Sequence, residues 1–254
     1  MRKVTFFLCF FLRVFADPLD IETLPLLRLQ QYSLAPYEKV IVFSPPRTGS
    51  MLTYNVMRYL FEDSQNLSCS HHQFNLQRLA LKTHRFYEIQ SADHVKALFV
   101  VTLRNPIDAI VSNFRICPNK PSNLRNFVQQ KIQMHVDYLH FFEKLKREGN
   151  HFLFLKYEDF ASSMDYLFER IETHVGIHIH EADKEIMRKG YGRENVRLST
   201  ESLANFSEYL PLSGFHGEHV LSDGYVPPKE LMFWLTLLIE KVKPEFRKYG
   251  YFLD

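Results

Sequence analysis

Arg47, Lys82, His84 and Arg104 are the side chains whose surroundings point to chemistry. Arg47 lies in VIVFSPPRTGS (Val40 to Ser50), where an apolar run breaks into a loop rich in proline. Such a loop, leading into a helix, offers unpaired N–H groups, a glycine (Gly49) that lets the backbone approach a ligand, and the hydroxyls of Thr48 and Ser50. Arg47 adds a fork-shaped cation, so the loop reads as a phosphate cradle, with an ordinary Pro-Gly turn as the alternative. It is not a Walker A loop, because GxxxxGK[ST] is absent. Lys82 and His84 fall in LALKTH (Leu79 to His84), where alternate positions on a strand end project to one face. A histidine there titrates near neutral pH and can act as a general base, or it can be a hydrogen-bonded structural group. Arg104 ends ALFVVTLR, and Ser112 follows on the second turn of the next helix. The two can hold a second phosphate, or Arg104 can pair with Asp108 at the helix start.

These groups need elements to position them. Lys39 to Ser44, Leu79 to Thr83, Ala97 to Leu103 and His151 to Tyr157 read as strands, mostly β-branched or apolar without alternation. Helices are expected from near Gly49 to Glu62, from Pro106 onward, from Ser122 to about Glu148, from Ser163 to Val175 and from Glu230 to about Lys248. Asp63 to Gln77 carries no clear pattern, and Ile177 to Gly224 mixes short helices with loops. Alternating strands and helices imply a single α/β domain with a central parallel sheet flanked by helices. All the chemical groups then sit at the carboxyl ends of strands, where open α/β sheets bind ligands.

Composition bounds the possibilities. The 254 residues are 46% hydrophobic and 15% aromatic, enough for one well-filled core. A net charge of +2 gives no global field for nucleic acid, so any cationic site must be local. Cys9, Cys69 and Cys117 form no CxxC pattern, and His174, His178 and His180 lack the partners of a zinc site, so no metal is expected. At the N-terminus Arg2 and Lys3 precede VTFFLCFFL (Val4 to Leu12), followed by small residues ahead of Asp17. Residues 1–16 resemble a signal peptide, the alternative being a buried or membrane-surface segment. The run is too short to span a bilayer, and membrane contact is expected only through residues 4–16. Two locations stay open as expectations: the cytoplasm, or the secretory pathway if residues 1–16 act as a signal peptide.

Taken together, PPRTGS, LKTH, LRNPIDAIVSNF and LKYED (Leu155 to Asp159) resemble, in that order, the motifs of sulfotransferases that use 3′-phosphoadenosine-5′-phosphosulfate (PAPS). The resemblance runs from about Lys39 to Tyr251 and implies a sulfotransferase-like domain over 39–254 with a fold like P-loop nucleotide kinases. It implies transfer of a sulfonate from PAPS to an acceptor hydroxyl or amine, releasing adenosine 3′,5′-bisphosphate (PAP). Residues 47–51 (Arg47, Thr48, Gly49, Ser50 and Met51) would hold the 5′-phosphosulfate, and Arg104 with Ser112 the 3′-phosphate. His84 would be the base, with Lys82 and Arg47 stabilising developing charge. Tyr157 would lie near the adenine. A late loop closes on the 3′-phosphate in this family, and two segments resemble it, MRKGYG (Met187 to Gly192) and SGFHGEH (Ser213 to His219). The second fits better by distance to the C-terminus, giving Ser213, Gly214 and Gly217 to the donor site and leaving Tyr191 to cover the adenine. Leu52 stands where the family has a stacking tryptophan. The acceptor and the oligomeric state are not implied. A P-loop-like nucleotide kinase and a silent nucleotide-binding protein of the same fold are the alternatives.

Overall fold

The computed structural model describes residues 19–62, 74–90, 95–117, 119–203, 207–217 and 225–253. The signal-peptide-like segment, Cys9 and Cys69 lie outside the described residues. Four strands form one parallel sheet: β1 (Lys39–Phe43), β2 (Ala80–Thr83), β3 (Ala97–Leu103) and β4 (His151–Lys156), in the order β2-β1-β3-β4. Every residue of β3 is buried, as expected for an apolar run covered on both faces. The pleat sends alternate side chains to opposite cores. Val40 and Val42 pack on one face with Tyr54, Val56 and Met57 of α1 (Ser50–Phe61). Ile41 and Phe43 pack on the other, with α3 (Pro106–Ile116) and α4 (Leu124–Arg147). Between them in sequence, α2 (Phe86–Gln90) is a short turn after β2.

The chain leaves β1 toward β2 on one side, while β3 lies on the other side of β1. That reversal opens a crevice above the carboxyl ends of β1 and β3. Beyond β4 come α5 (Tyr157–Ala161), α6 (Met164–Val175), α7 (Glu181–Gly190) and α8 (Arg193–Ser199). Side-chain caps fix several boundaries: Asn123 accepts from the Asn126 N–H at 2.9 Å to start α4, and Ser163 accepts from the Asp165 N–H at 3.2 Å to start α6. The expected terminal helix is in fact two, α9 (Lys229–Ile239) and α10 (Lys243–Arg247). Pro244 sits in the first turn of α10 and cannot continue the hydrogen-bond ladder of α9. Among the described residues, no helix is long and apolar enough to cross a membrane.

Candidate active site

One residue past the end of each strand stands Ser44, His84, Arg104 or Tyr157, so all four share one edge of the sheet. A cavity of about 610 Å³ opens there. Its walls include Arg47, Gly49, Ser50, Met51, Lys82, His84, Arg104, Tyr157 and Gly214. Glu88 is the one carboxylate among the lining residues, and it accepts hydrogen bonds from the Thr83 hydroxyl and Arg85. The charged residues of the lining are therefore mainly cations, Arg47, Lys82, Arg85 and Arg104, as an anionic ligand requires.

The first loop is held by its own chemistry. Ser44 Oγ accepts from the Thr102 N–H at 2.8 Å, which ties β1 to β3 at the crevice. Thr48 is fully buried; its hydroxyl donates to the Pro45 carbonyl at 2.7 Å and lies 2.8 Å from the Thr102 hydroxyl. That hydroxyl fixes the loop and does not face the cavity, so Thr48 has only its backbone to offer a ligand. Arg47 takes a left-handed φ of 68° and Gly49 one of 86°. At Gly49 a Cβ would lie 2.7 Å from the rings of Phe160 and Tyr157, so glycine is required by both conformation and space. Helix α1 then starts at Ser50, and Gly49, Ser50 and Met51 at its start line the cavity.

Arg47 and the β3 loop interlock. Arg47 Nε donates to Ser112 Oγ at 3.1 Å, and Arg104 donates to the Arg47 carbonyl at 3.4 Å. The Arg104 guanidinium lies 4.4 Å over the Tyr157 ring. Asn105, not an Arg104–Asp108 pair, caps α3: its side chain accepts from the Ile107 N–H at 3.0 Å. Arg104 is thereby left for the cavity.

Lys82 and His84 meet on the β2 side, with Nζ 3.0 Å from Nε2. His84 Nδ1 lies 2.6 Å from the Ser44 carbonyl, an acceptor only, so Nδ1 carries the proton and Nε2 the lone pair. Tyr138 donates to the His84 carbonyl at 2.6 Å and fixes its backbone. Burial, then the neighbouring Lys82 charge, pushes the imidazole down to about 3 against a smaller pull from Ser44. The expected near-neutral titration is thus displaced, and His84 is neutral across the physiological range. Burial brings Lys82 down to about 8, so its ammonium persists at neutral pH. Together they form a neutral imidazole of fixed tautomer, its Nε2 lone pair beside a cation.

The late segments separate clearly. Gly214 lines the cavity, while Ser213 is fully buried and Gly217 donates to the Glu208 carbonyl at 3.1 Å outside the lining. Residues 218 and 219 lie outside the described residues. Tyr191, expected over the adenine, is instead a core residue. It is buried against Phe215, with ring centroids 6.4 Å apart, because its aromatic bulk fills space under α1. MRKGYG closes helix α7, and Arg188 there binds Asp165, Glu181 and Glu185 rather than the cavity. Leu52 packs on the core and is not among the lining residues. Sequence reasoning missed Asn113, Ser207, Tyr209 and His216, which also line the cavity. His216 had a signal, since it lies inside the SGFHGEH loop. Among the described residues no three potential metal ligands cluster.

The comparisons with known proteins come to the same place. No curated protein matches the chain in sequence. The crystal structure of mouse sulfotransferase SULT7A1 complexed with PAP is similar over 92% of this chain and 90% of that one. The TM-score is 0.55 at 13% identity, which establishes a shared α/β fold, of the P-loop kinase-like kind. A family model for the sulfotransferase domain matches residues 37–202, from just before β1 to just past α8. That span contains the first loop, the Lys82–His84 pair and the Arg104–Ser112 segment, and by it the chain belongs to the sulfotransferase family.

Proposed function

We propose that the cavity binds PAPS with its phosphosulfate over the first loop and passes the sulfonate to an acceptor hydroxyl or amine on the His84 side. PAPS-dependent sulfonate transfer is the activity of the family. The observation that carries the residue roles is the Lys82–His84 pair, with the lone pair on Nε2, lining the same cavity as Arg47 and Arg104. His84 Nε2 takes the acceptor proton as the acceptor oxygen or nitrogen forms its bond to sulfur. The bond from sulfur to the bridging oxygen breaks, and its electron pair leaves with PAP. Negative charge grows on that oxygen, where Arg47 and Lys82 supply fixed positive charge. Lys82 donates to the Nε2 that must act as base. An arriving phosphosulfate competes for Nζ, draws Lys82 toward its own oxygens and hands Nε2 to the acceptor. The backbone N–H groups of Gly49, Ser50 and Met51 hold the 5′-phosphate, and Arg104 with Ser112 the 3′-phosphate.

Two measurements test this reading. Calorimetry with PAP, and with ATP with and without Mg²⁺, should give tight binding for PAP alone. Transfer of labelled sulfonate from PAPS should then be scored over phenols, sugars, lipids and peptides. Preference for ATP with Mg²⁺ would replace the reading with a kinase. PAP binding with no transfer to any class would replace it with a silent binder.

A further inference from the structure

His216 lines the same cavity as the Lys82–His84 pair, with Nε2 3.0 Å from Arg47 Nη1. A guanidinium has donors only, so the imidazole accepts through Nε2 and its proton sits on Nδ1. Arg47 is thus gripped at Nε by Ser112 and at Nη1 by His216. We infer that His216 is a positioning residue that orients the Arg47 guanidinium toward the phosphosulfate of the donor. This rests on the reading that Arg47 meets that group.

The surrounding structure is built to hold the brace still. Tyr209 and His216 form an antiparallel bridge, Leu210 donates to the Phe215 carbonyl at 2.7 Å, and Gly217 donates to Glu208 at 3.1 Å. The result is a small hairpin whose tight return uses Gly214 at a φ of 71°. Its tip is tied at four points. The Glu22 carboxylate accepts from the Leu212 and Ser213 N–H groups, both at 2.7 Å. Asn55 donates to the Ser213 carbonyl at 2.9 Å, and Arg58 to the Leu212 carbonyl at 3.1 Å. Asn55 and Arg58 belong to α1, the helix that begins beside Arg47. The brace and the residue it braces therefore share one foundation, and their spacing is fixed by the fold.

The brace matters because an unrestrained arginine must lose rotamer freedom on binding. Fixing the guanidinium before the donor arrives moves that cost into folding. From a left-handed backbone the Arg47 side chain reaches both Ser112 and His216.

A double-mutant cycle on the full chain, read by PAP calorimetry, tests the inference. His216→Phe keeps ring volume but cannot accept a hydrogen bond, and should weaken PAP about tenfold, the usual cost of losing a bond to a charged group. In an Arg47→Ala background the same change should cost less than about twofold. His216→Gln restores an acceptor and should stay within about threefold of wild type. Melting temperatures of all variants identify loss of fold, and His216→Ala serves if the phenylalanine variant does not fold. Unchanged PAP affinity in His216→Phe would overturn the inference. So would an equal loss with and without Arg47, or a failure of His216→Gln to rescue. If Arg47→Ala itself leaves PAP affinity intact, the underlying assignment of Arg47 fails instead.

Discussion

The sharpest consequence of the site's electrostatics is a pH dependence set by Lys82. Its ammonium is needed to meet charge on the leaving phosphate, and burial lowers its pKa from 10.5 to about 8. A lowered pKa means the required charged form is present below about 8 and lost as pH rises through it. The protonated fraction falls from about 0.9 at pH 7 to about 0.1 at pH 9, so kcat/KM for PAPS should fall about tenfold over that range. An unperturbed lysine would lose under about 5%. The donor's own negative charge favours the ammonium, so the limb in kcat, which reports the complex, should lie at higher pH than the limb in kcat/KM. His84 contributes no rising limb between pH 5 and 8, because burial keeps it neutral there. The assay is initial-rate kinetics with an aliphatic alcohol as acceptor, so that acceptor ionisation does not intrude. Lys82→Arg, charged at every pH tested, should abolish the falling limb whatever its residual rate. A flat kcat/KM from pH 7 to 9, or an unchanged limb in Lys82→Arg, would refute the reasoning.

Other outcomes follow from the same geometry. PAP binding at pH 8.5 should take up a fraction of a proton at Lys82, visible as calorimetric heats that depend on the ionisation enthalpy of the buffer; heats that do not vary with buffer would count against it. PAP should bind better than AMP, which lacks the 3′-phosphate, by about 2–3 kcal/mol if Arg104 and Ser112 hold that group. Arg104→Ala should erase most of that difference, and calorimetry with both nucleotides checks it. Gly49→Ala drives a Cβ into Phe160 and Tyr157 at a φ of 86°. It should cost about 3 kcal/mol, lower the melting temperature by about 6–12 °C and weaken PAP; an unaltered melt would show that the loop yields easily.

Much of this was legible in the sequence because apolar runs and their endings are local signals. KVIVF and ALFVVTL announce buried strands, and the residues one step beyond them are then bound to share an edge. The break between α9 and α10 was also local, at Pro244, but the apolar stripe on either side masked it. Tyr191 illustrates what was not legible. A tyrosine in a glycine-flanked loop is equally at home over a ligand or in a core, and only the packing of α7 against α1 decides. Thr48 is similar, since whether its hydroxyl faces a phosphate or the Pro45 carbonyl depends on the backbone turn. His216 reaches Arg47 across 169 positions of chain, a contact no spacing rule encodes. The displaced titration of His84 comes from enclosure by β1, β2 and α4, which a motif of three residues cannot express.

The central claim is that His84 does chemistry on the acceptor while the nucleotide is held by other residues. The most direct test is His84→Ala, with PAP affinity and sulfonate transfer measured on the same preparation. PAP affinity should stay within about twofold while the rate falls by roughly 10²–10⁴, the usual share of a general base. Acidic phenol acceptors, which need less help to lose a proton, should suffer less than alcohols. Full activity in a folded His84→Ala protein, or equal losses in affinity and rate with a lowered melting temperature, would contradict the account.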